Sequence, residues 1–145
     1  MIIRNLCLLA AAGTLCVIGA SRAANDSETR KEPTAHPPLF TSPLADVPGK
    51  HLVVVALQFD AQSAKNFMPH YHPGSVYVYV TKGTARLGVE GQPPQLVHAG
   101  ESFFEPVGAH HTVAESASPT EPATAIAVMI VPDGAPLVST DAPKK

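Results

Sequence analysis

Short runs in which apolar residues alternate with polar or aromatic ones dominate the chain after its first two dozen residues. Val76 to Val80 alternates Val and Tyr without interruption, which is typical of a β-strand. His51 to Phe59 is dense in β-branched residues and predicts a strand that is buried on both faces. No window beyond the first two dozen residues shows sustained helical periodicity, so the pattern predicts an all-β protein.

Shorter runs of the same kind lie on both sides of these two strands, and turns that contain glycine or proline separate them. They predict strands at 84–89, 95–98, 102–105, 110–114 and 123–131, and a short edge strand between Leu39 and Leu44. About seven or eight strands at intervals of roughly 8–12 residues indicate a β-sandwich or a β-barrel.

The first residues have the pattern of a secretory signal peptide. Arg4 is followed by a charge-free apolar run, Leu6 to Ala20, and then by the small residues Ser21 and Ala23. The run is shorter than the roughly 20 residues that cross a bilayer, although a retained membrane anchor is the alternative. We expect cleavage after Ala23 and an exported protein, periplasmic or secreted, that has no contact with the membrane afterwards.

These patterns divide the chain into four parts. A signal peptide occupies 1–23, and a flexible, turn-rich segment occupies 24–50. A β-barrel domain follows at 51–131, and a flexible, proline-rich tail at 132–145.

Composition narrows the chemistry of the exported part. The chain has two cysteines, Cys7 and Cys16, and both leave with the signal peptide, so no disulfide and no thiol ligand or nucleophile remains. Cleavage also removes two arginines, which leaves a net charge of about −4 with neutral histidines. No basic patch is present, which argues against a nucleic-acid partner and against a site for sugar phosphates.

Histidines supply the candidate chemistry. His70 and His72 are one residue apart, so both side chains lie on the same side of an extended backbone and can reach one point. A further histidine, His111, follows the corner Pro106-Val107-Gly108. Neutral imidazole is the commonest metal ligand, and we predict that these three hold one divalent transition metal. His36, His51 and His98 have no partner at ligand spacing.

These segments resemble the two motifs of the cupin family. The first motif is Gly, five residues, His-x-His, three or four residues, Glu, six residues, Gly. The second is Gly, five residues, Pro-x-Gly, two residues, His, three residues, Asn. The positions that match are His70, His72 and Gly83 in the first motif and Gly100, Pro106, Gly108 and His111 in the second. The resemblance covers about Leu52 to Val131 and implies a small single-domain cupin, a double-stranded β-helix or jelly-roll barrel.

The chain departs from these motifs at three positions. Ala64 replaces the leading Gly, Glu115 replaces the closing Asn, and Val76 replaces the motif Glu, with Tyr77 at its alternative spacing. The chain therefore lacks the usual carboxylate ligand. The remaining set of His70, His72 and His111 is similar to the all-histidine sites of some cupin dioxygenases, in which three imidazoles hold ferrous iron. Zinc, nickel, manganese and copper stay open as the metal.

Two functions follow from this resemblance. The first is an oxygen-dependent oxidoreductase, similar to a dioxygenase, that acts on a small organic substrate. The second is a non-catalytic periplasmic module that binds or senses a small molecule or a metal. The family also implies a homodimer, for which an exposed edge strand at Leu39 to Leu44 offers a place to pair.

Four further residues lie near the predicted site. Glu105 could supply the missing carboxylate or accept a hydrogen bond from a ligand histidine, but we expect an exposed strand end because Glu is rarely buried unpaired. His110 should point away from His111, as a residue behind the site or on the surface, although it is the alternative ligand in place of His111. Gln58 is either a cavity residue or a satisfied core amide. Val76 shares the parity of His70 and His72 and should line an apolar pocket.

Overall fold

The computed structural model describes residues 36–61 and 67–142 of the 145-residue chain. The predicted signal peptide at 1–23 lies outside the described residues, as does Ala64. Nine strands are present in the described part. They are β1 (Pro38–Pro43), β2 (Lys50–Phe59), β3 (His70–Tyr71), β4 (Ser75–Lys82), β5 (Thr84–Val89), β6 (Gln95–His98), β7 (Ser102–Glu105), β8 (His110–Ser116) and β9 (Ala123–Pro132).

The strands form two antiparallel sheets. One has the order β1-β2-β9-β4-β7 and the other the order β3-β8-β5-β6. The predicted all-β jelly roll is confirmed, and the strand boundaries lie close to those expected from the alternation of residues. The described residues form no helix, so none of them forms a helix that could cross a membrane.

One hydrophobic core fills the space between the sheets. Alternate residues of β4 and β9 point into it, and nearly all of these are small or branched: Val76, Val78, Val80, Ala123, Ala125, Ala127, Met129 and Val131. The expectation that β2 is buried on both faces is wrong. Val53 and Val55 are buried, whereas Val54 is half-buried and Ala56 is exposed. The reason is that no second layer of the described residues covers the outer face of this sheet.

The segment after β9 pairs with β3. The backbone N–H of Tyr71 donates to the carbonyl of Ser139 at 2.8 Å, and the N–H of Ser139 donates to the carbonyl of Tyr71 at 3.0 Å. Leu137 packs against the core. The sequence predicts a flexible tail over 132–145, but Leu137 and Ser139 hold this part of the chain against the core and against β3.

Gly74 allows the chain to pass from β3 into β4 close to the backbone of β9. A Cβ at this position would overlap the carbonyl of Ile130, which belongs to the residue paired with Ser75. Backbone atoms within a paired sheet cannot move aside as the end of a flexible side chain can. Only glycine therefore fits here without displacing β9.

We predict that Gly74→Ala lowers the free energy of unfolding by more than about 2 kcal/mol, since the added methyl forces backbone displacement. Chemical denaturation monitored by circular dichroism would measure the change. Ser75→Ala, one residue along, is the control and should stay within about 0.5 kcal/mol of wild type. Equal stability of the two variants would contradict the prediction.

Candidate metal centre

Strand pairing places the three predicted histidines together. His70 on β3 lies directly opposite His111 on β8, and His72 follows β3 on the same side of the backbone as His70. One ring nitrogen from each residue lies within 4.8 Å of the others. The two-residue spacing and the antiparallel register are therefore together sufficient to form the cluster.

Backbone carbonyls fix the tautomer of each ring. Nδ1 of His70 donates to the carbonyl of Met68 at 2.7 Å, and Nδ1 of His72 donates to that of Leu137 at 2.8 Å. Nε2 of His111 donates to the carbonyl of Val113 at 2.9 Å. Because a carbonyl can only accept, these nitrogens carry the protons of the neutral rings. The other nitrogen of each ring is left with a bare lone pair.

Burial keeps all three rings neutral. Desolvation is the main cause in each case: it lowers the pKa of His70, that of His72 to about 4 and that of His111 to about 3. The hydrogen bonds to backbone carbonyls oppose these shifts without cancelling them. At neutral pH the cluster therefore presents lone pairs and not N–H groups.

The bare nitrogens face one another. Nε2 of His70 lies 3.2 Å from Nε2 of His72, and neither carries a proton that could form a hydrogen bond between them. Nδ1 of His111 is buried and has no hydrogen-bond partner among the described residues. Converging lone pairs repel each other unless a cation lies between them, so the three donors fit a transition metal that prefers imidazole.

Glu105 is buried in this cluster, and the expectation of an exposed strand end is wrong. Glu105 is 1% exposed, and its Oε2 lies 3.7 Å from Nε2 of His72 and 3.5 Å from Nδ1 of His111. The distances suit ion pairs, but burial favours the neutral form of every group, and desolvation raises the pKa of Glu105 to about 8. Oε2 has no hydrogen-bond partner among the described residues, so no hydrogen bond offsets the cost of burying this oxygen.

The remaining predicted residues lie around the cluster. His110 points away from it, as expected, and stacks on Tyr71 with 4.4 Å between ring centroids. Val76 is buried and lines the cavity beside the histidines. It therefore lies on the same side of the chain as His70 and His72, although Pro73 and Gly74 lie between them. Gln58 is exposed at the cavity, where its amide donates to Oδ1 of Asp60, so it is not a core amide.

A cavity of about 340 Å³ opens onto the histidine cluster. Its described walls are mainly apolar, with Leu57, Phe67, Leu87, Met129 and Leu137 among them, and these described walls contain no Lys or Arg. The size suits a small organic molecule. The absence of a lysine or arginine from the described lining leaves the cavity with no fixed cation that would bind a phosphate group.

Three contributors to the site carry no signal in the sequence pattern. The carbonyl of Leu137 orients His72 from 65 residues away. His36, which has no partner at ligand spacing, lines the cavity, and so does Asp60. A backbone carbonyl can come from any residue type, so the sequence does not mark Leu137. His36 and Asp60 are brought to the cavity only by the three-dimensional path of the chain.

The described strands thus form a jelly-roll barrel in which a buried cluster of histidines opens into a small cavity. The chain belongs to the cupin family, since the family model for the cupin domain matches residues 55–129. The region matched is close to the barrel domain expected from the sequence.

Several solved structures are similar to this chain at low identity. The DMSP lyase DddQ from Ruegeria pomeroyi is 20% identical, with a TM-score of 0.46 over 68% of this chain and 46% of that one. A cupin-like protein from Thermotoga maritima is 17% identical, with a TM-score of 0.45 over 66% of both chains. Hydroxypropylphosphonic acid epoxidase from S. wedmorenis is 23% identical, with a TM-score of 0.44 over 57% and 44%. Likenesses this distant carry no information on the chemistry of this chain, and no curated protein matches it.

We predict that ending the chain after Ala135 weakens metal binding, because it removes the carbonyl that holds His72 in its tautomer. Loss of an outer hydrogen bond to a ligand typically costs about 10–100-fold in metal affinity. Competition with a chelator would measure the change. A chain ended after Ala142 keeps Leu137 and Ser139 and should bind as the full chain does, whereas equal affinity of both truncations would exclude this role.

Proposed function

We propose that this protein binds one divalent transition metal through His70, His72 and His111 and uses it to oxidise a small, uncharged organic molecule with O₂. Iron is the metal we favour. The single observation that carries the proposal is the convergence of three bare nitrogens, with the distance of 3.2 Å between two of them. In neutral rings this arrangement is repulsive until a cation binds.

The chain's own residues would prepare the site for such a metal. The carbonyls of Met68, Leu137 and Val113 hold the rings so that no tautomer change is needed on binding. The rings are already neutral at physiological pH, so no imidazolium has to lose a proton. The protein would therefore contribute a preformed set of three facing donors.

The cavity supports a small and weakly polar substrate, such as a phenol or a diol. Its described walls carry apolar side chains near the histidines and a few polar groups, His36, Gln58 and Asp60. An anionic substrate would lose hydration on entry without gaining an opposite charge from a lysine or arginine in these walls. Hydroxyl groups of a neutral molecule would instead find acceptors in Gln58 and Asp60.

Ferrous iron supplies the one-electron chemistry that lets O₂ react with an organic molecule. In a dioxygenase reaction both oxygen atoms enter the substrate, so no further reductant is required. The apolar walls would exclude bulk water from the reacting molecules. The second candidate, a non-catalytic module that binds a metal or a small molecule, uses the same residues without turnover.

We predict about one equivalent of transition metal in the protein purified without an affinity tag, and a large loss in His72→Ala, because removal of one of three ligands weakens the site. Elemental analysis measures both. The matched control is His98→Ala, which removes an exposed histidine that bonds Thr84 and lies on β6, two strands away from β8 in the same sheet. Equal metal content in the parent and in His72→Ala would refute the metal site.

Oxygen uptake separates the two candidate functions. The iron-loaded protein, supplied with phenols and diols, should consume O₂ in step with loss of the substrate, and the zinc-loaded protein should not. A protein that retains zinc as its native metal and shows no uptake with any of these compounds would favour the binding module.

We also propose a homodimer, formed through the outer face of the five-stranded sheet. Cross-strand pairing aligns one residue from each strand in a single row of apolar and aromatic side chains. The row consists of Phe40, Val54, Val128, Tyr77 and Phe104. Phe40, Tyr77 and Phe104 are 54%, 45% and 58% exposed. A contiguous apolar face of this kind is typical of an interface, and a second copy supplies an equally apolar partner.

We predict that Tyr77→Glu shifts the protein from dimer to monomer, because a carboxylate would be buried at the centre of the row. Light scattering after size-exclusion chromatography measures the mass. Leu96→Glu changes another exposed apolar residue, 58% exposed on β6 of the other sheet, and should leave the dimer intact. A monomeric wild type would refute the interface.

Export, with cleavage after Ala23, is proposed from the sequence pattern of the first residues alone. N-terminal sequencing of the protein recovered from the periplasm or medium would test it.

A further inference from the structure

The carboxylate missing from the first cupin motif has a counterpart on the neighbouring strand. Val76 occupies the motif position, faces the cavity and is 2% exposed. Strands β4 and β7 are antiparallel, and Val76 and Glu105 are directly opposed in their register. Side chains of opposed residues lie on the same face of a sheet, with Cβ atoms about 4.5–5.5 Å apart. Glu105 thus enters the site from one strand away.

The carboxyl group lies beside two of the three histidines of the cluster. Oε2 of Glu105 lies 3.5 Å from Nδ1 of His111 and 3.7 Å from Nε2 of His72. Donor atoms bound at about 2.1 Å to one ion in a tetrahedral arrangement lie about 3.4 Å apart. Three separations are close to this value: 3.2 Å between the Nε2 atoms of His70 and His72, and 3.5 and 3.7 Å from Glu105 to His111 and His72. The three histidine nitrogens lie within 4.8 Å of one another.

Two buried polar atoms at the site have no hydrogen-bond partner, and this requires an explanation. Oε2 of Glu105 and Nδ1 of His111 are the two buried side-chain atoms of the described residues that have no hydrogen-bond partner. Leaving a buried polar group unpaired is costly, and an ionised carboxylate costs more to bury than an amide. One cation placed between these atoms would satisfy both, because each offers a lone pair to the same point.

We propose that Glu105 is the fourth ligand of the metal centre and that it replaces, from strand β7, the carboxylate that position 76 supplies in the cupin motif. This inference rests on the proposed metal site. It changes the charge of that site, since a carboxylate cancels one unit of the divalent ion and three imidazoles cancel none. It also leaves two open positions in an octahedral arrangement where a three-histidine site would leave three.

The test compares Zn²⁺ affinity and Co²⁺ spectra among matched variants. Glu105→Gln keeps the shape of the side chain and removes its charge, and it should lower Zn²⁺ affinity about 100-fold or more and change the visible spectrum of the Co²⁺-loaded protein. Glu115→Gln is the control, because that carboxylate is also close to His111 in sequence but pairs with Arg86 at 2.7 Å. It should leave both readouts unchanged.

A double substitution that exchanges the residues at positions 76 and 105 tests whether a carboxylate at either position can serve as the ligand. Val76→Glu combined with Glu105→Val moves the carboxylate back to the motif position, and it should bring Zn²⁺ affinity to within about 10-fold of wild type. Glu105→Val alone should bind as weakly as Glu105→Gln. Failure of the exchange to restore affinity would overturn the equivalence.

The outcomes separate this inference from the metal site itself. If wild type binds Zn²⁺ and Glu105→Gln matches it in affinity and spectrum, the ligand role is overturned and the three-histidine site stands. If wild type binds no metal, both are overturned. Should the variants fail to fold, a crystal structure of Zn²⁺-loaded wild type decides. A Glu105 oxygen about 2.2 Å from the ion supports the role, and one beyond about 3 Å overturns it.

Discussion

Mutual repulsion among three fixed lone pairs is the constraint on which the site depends. Each imidazole donates a hydrogen bond from one ring N–H to a backbone carbonyl and turns its bare nitrogen toward the other two. Burial prevents the rings from relieving this repulsion by taking up protons, because desolvation lowers their pKa. The fold thus holds a cluster that is unfavourable alone and favourable around a cation.

The barrel supplies the rigidity that this arrangement needs. Antiparallel pairing of β3 with β8 sets the separation of His70 and His111, and pairing of β4 with β7 brings Glu105 beside them. Strand β4 also contributes Val76, Val78 and Val80 to the hydrophobic core, and β7 contributes Phe103. A displacement of either strand would therefore be resisted by packing throughout the barrel, and not only by contacts at the site.

Much of the fold and the histidine cluster could be predicted because period-two alternation decides both. The alternation in Val76 to Val80 specifies which side chains face inward, and the same rule puts His70 and His72 on one side. The sequence does not predict the burial of Glu105, because burial of a glutamate depends on its partners, which come from other strands. Nor does it predict the exposure of the outer face of β2, since branched residues favour strands whether or not a layer covers them.

Contacts between distant parts of the chain also determine when the site can exist. The carbonyl that orients His72 belongs to Leu137, 65 residues further along the chain. His70 on β3 pairs with His111 on β8. In the unfolded chain only the His-x-His pair is local, and closing the longer loop costs entropy that the native contacts must offset. The metal site that we propose would therefore form only on folding, and the ions present where the chain folds would be the ones available to it.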